Sequence, residues 1–154
     1  MPRLYLPHQV ETAVPVGEVV GTPVDQGFIG ACTNGRLSDL RVAAQLLKGR
    51  KIHPRCRLIV IPASRWVYRD AIRDGCLEIL LDSGAMIGVP GCGPCAGNHL
   101  GIPADGETVI STMNRNFKGR MGNKNASIFL ASPATVAVSV MEGKIVDVRN
   151  YLNG

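Results

Sequence analysis

Three cysteines stand in surroundings that suit chemistry: Cys32 in Gly30-Ala31-Cys32-Thr33-Asn34-Gly35-Arg36, and Cys92 and Cys95 in Pro90-Gly91-Cys92-Gly93-Pro94-Cys95-Ala96-Gly97. Each stretch follows a short run of apolar and β-branched residues, at the point where a strand gives way to a loop. Thiolates are soft ligands that hold zinc or an iron–sulfur cluster when loops converge them. Four would close a metal site. Three would leave one metal of a cluster open to substrate, as a Lewis acid rather than an electron carrier. Cys92-Gly93-Pro94-Cys95 alone is also the pattern of a redox dithiol. Such a dithiol normally opens a long helix that lowers the first thiol's pKa, and Gly97, Gly101 and Pro103 argue against a long helix here.

The other two cysteines read differently. Cys56, in His53-Pro54-Arg55-Cys56-Arg57, enters a strand from its amino end, the rim opposite the three. Cys76 follows Gly75 at the start of a helix and packs as a small hydrophobe. A second motif is Asn114-Arg115-Asn116-Phe117-Lys118-Gly119-Arg120. Arginine forks bind carboxylates in a bidentate way, so Arg115 and Arg120 could grip a di- or tricarboxylate. An ordinary exposed basic turn accounts for the same residues. No Gly-x-x-x-x-Gly-Lys-Ser/Thr stretch makes it a phosphate loop. His99 is read as a loop histidine, with metal ligation or support of a ligand as alternatives.

These motifs need elements that place them together. Gly27-Phe28-Ile29-Gly30, Arg57 to Ile61, Ala85 to Val89, Thr108 to Ser111 and Ser127 to Leu130 read as strands, with Lys144 to Val148 as an added edge strand. Helices are expected over Leu37 to Lys48, from the N-cap Ser64 to Gly75, over Leu77 to Ser83, and from the N-cap Ser132 with Pro133 through Met141. Strands alternating with helices predict an α/β fold: a three-layer, mostly parallel sheet with helices on both faces. In such sheets sites form beyond the carboxyl ends of the strands. Cys32, Cys92 with Cys95, and Asn114 to Arg120 all fall on that rim. Residues 1–23, rich in proline and valine, read as an extended lead-in or interdomain segment, and residues 24–154 as the domain.

Composition bounds the rest. With 154 residues, 45% apolar and 19% charged, the chain has the size and make-up of one soluble globular domain. No apolar run approaches the roughly 20 residues that span a bilayer, and the first residues lack a signal peptide's pattern, so the cytoplasm is the expected compartment. Five cysteines, an odd number, argue against a disulfide framework. The net charge of +5 fits a solvated basic surface or an anionic partner. The few aromatics are not read as interleaved with basic residues, which argues against a base-stacking surface.

Four stretches in order resemble the aconitase superfamily, and within it the large subunits of 3-isopropylmalate dehydratase and homoaconitase. They are Gly30 to Arg36, Pro90 to Cys95, Asn114 to Gly122, and Leu130-Ala131-Ser132-Pro133-Ala134-Thr135. The resemblance covers roughly Val16 to Gly143. It implies a [4Fe–4S] cluster on Cys32, Cys92 and Cys95 whose fourth iron is open to a hydroxy-di- or tricarboxylic acid. It further implies a hydro-lyase that isomerises that acid by dehydration and rehydration, in amino-acid biosynthesis such as that of leucine. Asn34 and Asn114 would stand beside the cluster, and Arg115 and Arg120 would bind substrate carboxylate.

The chain departs from the family pattern at Ala31, usually serine, and at Ala96, usually a larger apolar residue. The resemblance reaches none of the other family domains. The resemblance therefore implies the cluster-bearing third domain alone, silent without the remaining large-subunit domains and a swivelling small subunit. Two alternatives remain at this stage: an aconitase-like iron-sensing module that binds RNA, and a zinc-binding structural domain.

Overall fold

A computed structural model describes residues 1–9 and 11–152; Asn153 and Gly154, the end of the expected domain, lie outside the described residues. Five strands run parallel: β3 (Gln26–Ile29), β4 (Arg57–Val60), β5 (Met86–Ile87), β6 (Thr108–Ser111) and β7 (Ser127–Leu130). Two further strands, β1 (Arg3–Tyr5) and β2 (Ala13–Pro15), form an antiparallel hairpin that pairs with β7, Tyr5 opposite Leu130. The result is a seven-stranded, mostly parallel sheet of order β2-β1-β7-β6-β3-β4-β5.

The helices are α1 (Ala31–Asn34), α2 (Leu37–Leu47), α3 (Arg65–Arg73), α4 (Cys76–Ser83) and α5 (Pro133–Glu142). Side-chain caps start two of them. Ser64 accepts from the Val67 amide and Ser132 from the Thr135 amide, each at 3.2 Å, and satisfy donors the first turn leaves free. Gly84 and Gly143 end α4 and α5 with φ near 101° and 73°, a conformation that disfavours a side chain.

Strand alternation divides the core between the two faces of the sheet. Ile29, Leu58, Val60, Ile110 and Phe129 join the larger cluster, which takes in the buried faces of α2, α3, α4 and α5. Phe28, Ile59, Ile61, Val109 and Ile128 point the other way, into a smaller cluster with Ala31, Cys95, Met113 and Met121. Helices thus lie on both faces, but unevenly: the four longer ones share one face. The second is covered by α1, a single 3-10 turn at Gly93–Ala96 and the loops around Cys92 and Arg120. Gly27 permits close packing on the helical face, because a Cβ there would run into Val140 of α5.

Some elements differ from expectation. Within residues 1–23, Arg3–Tyr5 and Ala13–Pro15 pair into the sheet, Val16–Glu18 forms a 3-10 turn, and Leu4 and Val16 are buried in the larger cluster. Lys144 to Val148 is not a strand. It makes one isolated bridge, Lys144 with Pro23, through the Ile145 amide to the Thr22 carbonyl and the Val24 amide to the Gly143 carbonyl, and the chain then enters a 3-10 turn at Val148–Tyr151. β5 shrinks to Met86–Ile87, and the Gly88 amide donates to the Val60 carbonyl at 2.9 Å. Among the described residues, no helix is long and apolar enough to cross a membrane.

Candidate functional site

Because β3, β5 and β6 are parallel, the segments leaving their carboxyl ends emerge on one rim. Cys32 is the second residue of α1, just past a tight bend in which Gly30 has φ 149° and Ala31 has φ 72°. Ala31 thus holds a left-handed conformation that its Cβ disfavours. Ile61 is the floor beneath this turn. A Cβ on Gly35 would overlap the Ile61 carbonyl oxygen, and the Ala63 amide donates to the Gly35 carbonyl at 2.8 Å.

The second cysteine loop rests on the same residue. A Cβ on Gly93 would stand 2.7 Å from the Ile61 Cγ1. The Cys95 amide donates to the Cys92 carbonyl at 3.1 Å and closes one 3-10 turn, which Gly97 ends with φ 73°. No long helix follows Cys92. Gly97 in turn lies flat against the backbone of Met121 and Gly122, which presses the arginine loop onto the cysteine loop.

That contact redirects Arg120. Its Nη2 donates to the Cys95 Sγ at 3.2 Å, its guanidinium lies 5.5 Å from the Phe117 ring centre, and its Nε is buried without a partner. Asn114 and Arg115 are exposed at the start of the same loop. Asn34 donates from Nδ2 to the Thr112 carbonyl and joins Asn114, Arg3, Tyr5 and Ser132 around a cleft of about 360 Å³. A second cleft of about 480 Å³ lies beside Cys92, with Ile61, Asn98 and His99 on its walls.

All five cysteines are free; Cys32 and Cys92 are exposed and Cys95 is buried. Among the described residues, no three Cys, His, Asp or Glu side chains stand close enough to hold one metal ion. The rim therefore brings the two cysteine loops together without gathering their thiols. Cys56 sits at the amino end of β4, where its Sγ donates to the Val24 carbonyl at 2.9 Å and burial pushes the thiol up to about 11. Cys76 is buried at the start of α4, and burial raises its pKa as well.

Several positions escape a reading of motifs. Thr112 and Ile61 carry no chemical signature, yet both cysteine loops lean on Ile61, and Thr112 bonds the Cys32 turn. Asn116 is fully buried and donates to the Leu6 and Ile128 carbonyls at 2.6 and 3.0 Å, while the His8 amide donates to its carbonyl at 3.2 Å. The main chain at His8 therefore meets the arginine loop. Basic and aromatic side chains also interleave, contrary to expectation: the Arg65 and Arg69 guanidiniums lie 6.0 and 4.7 Å from the Trp66 ring centre.

The sequence model of the aconitase family (aconitate hydratase) matches residues 7–143. The chain belongs to that family. It is 57% identical over 152 residues to a protein named 3-isopropylmalate dehydratase large subunit 2 from Archaeoglobus fulgidus, covering 99% of this chain and 36% of that one. It is 53% identical to the methanogen homoaconitase large subunit of Methanocaldococcus jannaschii, covering 93% of this chain and 34% of that one. It is 54% identical to the homoaconitase large subunit of Thermus thermophilus, with 92% and 34% covered. The chain spans about a third of the length of the curated relatives it matches.

Proposed function

We propose that this chain is the cluster-bearing part of a hydro-lyase of the 3-isopropylmalate dehydratase and homoaconitase type. The observation that carries the reading is the packing of both cysteine loops on Ile61, with the arginine loop pressed against them at Gly97. The donor set fits a [4Fe–4S] cluster: three thiols, unpaired in any disulfide, on neighbouring loops of one rim. A buried guanidinium nitrogen without a partner stands beside one of them. Cys32, Cys92 and Cys95 would hold the group. When bound it would supply a Lewis-acidic metal that polarises the hydroxyl to be lost.

The chain's own residues supply binding and orientation. Arg115 is exposed and free to close a bidentate fork on a carboxylate. Asn34 and Asn114, which share a cleft, can donate hydrogen bonds to bound hydroxyl or carboxylate oxygens. Arg120 is already engaged by Cys95, so its first duty is to that thiol, and any grip on a substrate carboxylate would fall to its other guanidinium donors. Dehydration also needs a base for the carbon-bound proton and an acid for the departing hydroxide. The exposed His99 lines the cleft beside Cys92, and among the described residues no side chain hydrogen-bonds to it. The remaining large-subunit domains and a small subunit would supply both.

The test is dehydration of isopropylmalate and of homocitrate by the iron-reconstituted chain, alone and mixed with polypeptides that supply the rest of a relative's large subunit and its small subunit. Silence alone and turnover in the mixture are expected. Arg115→Lys keeps the charge and loses the fork, and should lower kcat/KM about 10- to 100-fold in the mixture, the worth of one charged hydrogen bond. Enzyme-like turnover by the chain alone, or normal kinetics for Arg115→Lys, would overturn the assignment.

A further inference from the structure

Cys32 rides on a turn that its own sequence does not favour. Ala31 occupies the left-handed region, Gly30 has φ 149°, and α1 is only four residues long, so the turn must be held from outside. Thr112, buried at the carboxyl end of β6, makes the contacts that hold it. Its Oγ1 accepts from the Gly30 amide at 3.0 Å and faces the Gly30 carbonyl at 3.4 Å. Its main-chain carbonyl accepts from Asn34 Nδ2, at the far end of α1. Its own amide is fixed to the Phe28 carbonyl of β3 at 2.9 Å. One residue therefore grips the Cys32 turn at both ends while standing two positions before Asn114.

We propose that Thr112 is a positioning residue that sets where Cys32 is presented to the metal, an inference that rests on the cluster-bearing reading above. The hydroxyl does what a methyl group cannot: it satisfies a buried amide beside a strained residue. Without it the Gly30 amide is orphaned, and the bend at Ala31 is free to relax toward ordinary backbone angles. Among the described residues no hydrogen bond joins Thr112 to the second cysteine loop, so Cys92 and Cys95 should keep their places.

The experiment compares wild type, Thr112→Ser and Thr112→Val in the 154-residue chain. Amide hydrogen exchange is read without metal, and iron loss to a chelator after anaerobic reconstitution. The Gly35 amide, bonded to the Ala31 carbonyl at 3.2 Å, reports the turn without touching Thr112, and the Cys95 amide serves as internal control. Thr112→Val should speed exchange at Gly30 and Gly35 about tenfold and leave Cys95 unchanged, whereas a general loss of stability would move all three. Thr112→Val should also lose iron about tenfold faster, with Thr112→Ser restoring both readouts to wild-type values. Equal exchange at Gly35 and equal iron loss in Thr112→Val and wild type would overturn the inference. A wild-type chain that takes up no iron would overturn the metal reading, and exchange at Gly35 would then decide the positioning claim alone.

Discussion

Four of the five thiols divide into two kinds by surroundings rather than by residue type, and Cys95 stands apart as a buried thiol on the rim. Cys32 and Cys92 are exposed on the rim, whereas Cys56 and Cys76 are withdrawn into the fold, where burial disfavours the thiolate. Only the thiolate attacks an alkylating agent. Iodoacetamide at about pH 8 should therefore label Cys32 and Cys92 at least tenfold faster than Cys56, whose thiol is pushed up to about 11. Mass spectrometry of tryptic peptides checks this, and labelling of Cys56 first would contradict the burial argument. The placement of these thiols was legible in the sequence, because Cys32, Cys92 and Cys95 follow apolar runs at the carboxyl ends of strands, whereas Cys56 enters a strand from its amino end. The bond from Arg120 to Cys95 was not. It depends on Gly97 meeting Gly122, a contact between loops that neither motif announces.

Among the elements, the turn at Gly30–Gly35 and the strand ends beneath the second loop bear the load. Gly35→Ala would drive a Cβ into the Ile61 carbonyl, a backbone atom that cannot swing aside. A loss of about 1–3 kcal/mol is expected by chemical denaturation, and an unchanged midpoint would show that the turn does not rest on Ile61. Farther down, Glu107 receives Arg57 in a bidentate pair; Arg57 Nε donates to Gln26 Oε1 at 2.6 Å, and Gln26 Nε2 donates to the Gly101 carbonyl at 2.8 Å. The Arg57 guanidinium holds the Glu107 carboxyl below its ordinary value of 4.5. That stabilisation is present above pH 4.5 and is lost as pH falls through the folded value. The Tm advantage of wild type over Glu107→Gln should thus be full near neutral pH and shrink in acid; an advantage that grows in acid would contradict the pairing. The parallel strands were legible from their apolar runs. The β1–β2 hairpin was not, because three-residue strands leave too little alternation to read, and Ile145, Val146 and Val148 imitate a strand while being buried beside a single bridge.

At the scale of the molecule, the two faces of the sheet do different work. One packs four helices and makes the domain stable, and the other is left to loops whose glycines allow close approach around Ile61. Placing motifs at the ends of parallel strands was enough to predict a shared rim, since strand direction alone decides it. How near the thiols come to one another on that rim depends on side-chain and loop positions, which strand direction does not fix. The claim that Cys32, Cys92 and Cys95 together hold a cluster is therefore tested most directly by composition. Iron and acid-labile sulfide should be measured per chain after anaerobic reconstitution of wild type, Cys92→Ser and Cys56→Ser. About four of each are expected for wild type and for Cys56→Ser, with neither retained by Cys92→Ser. Stoichiometric zinc without sulfide in wild type, or an unchanged iron content in Cys92→Ser, would contradict the assignment.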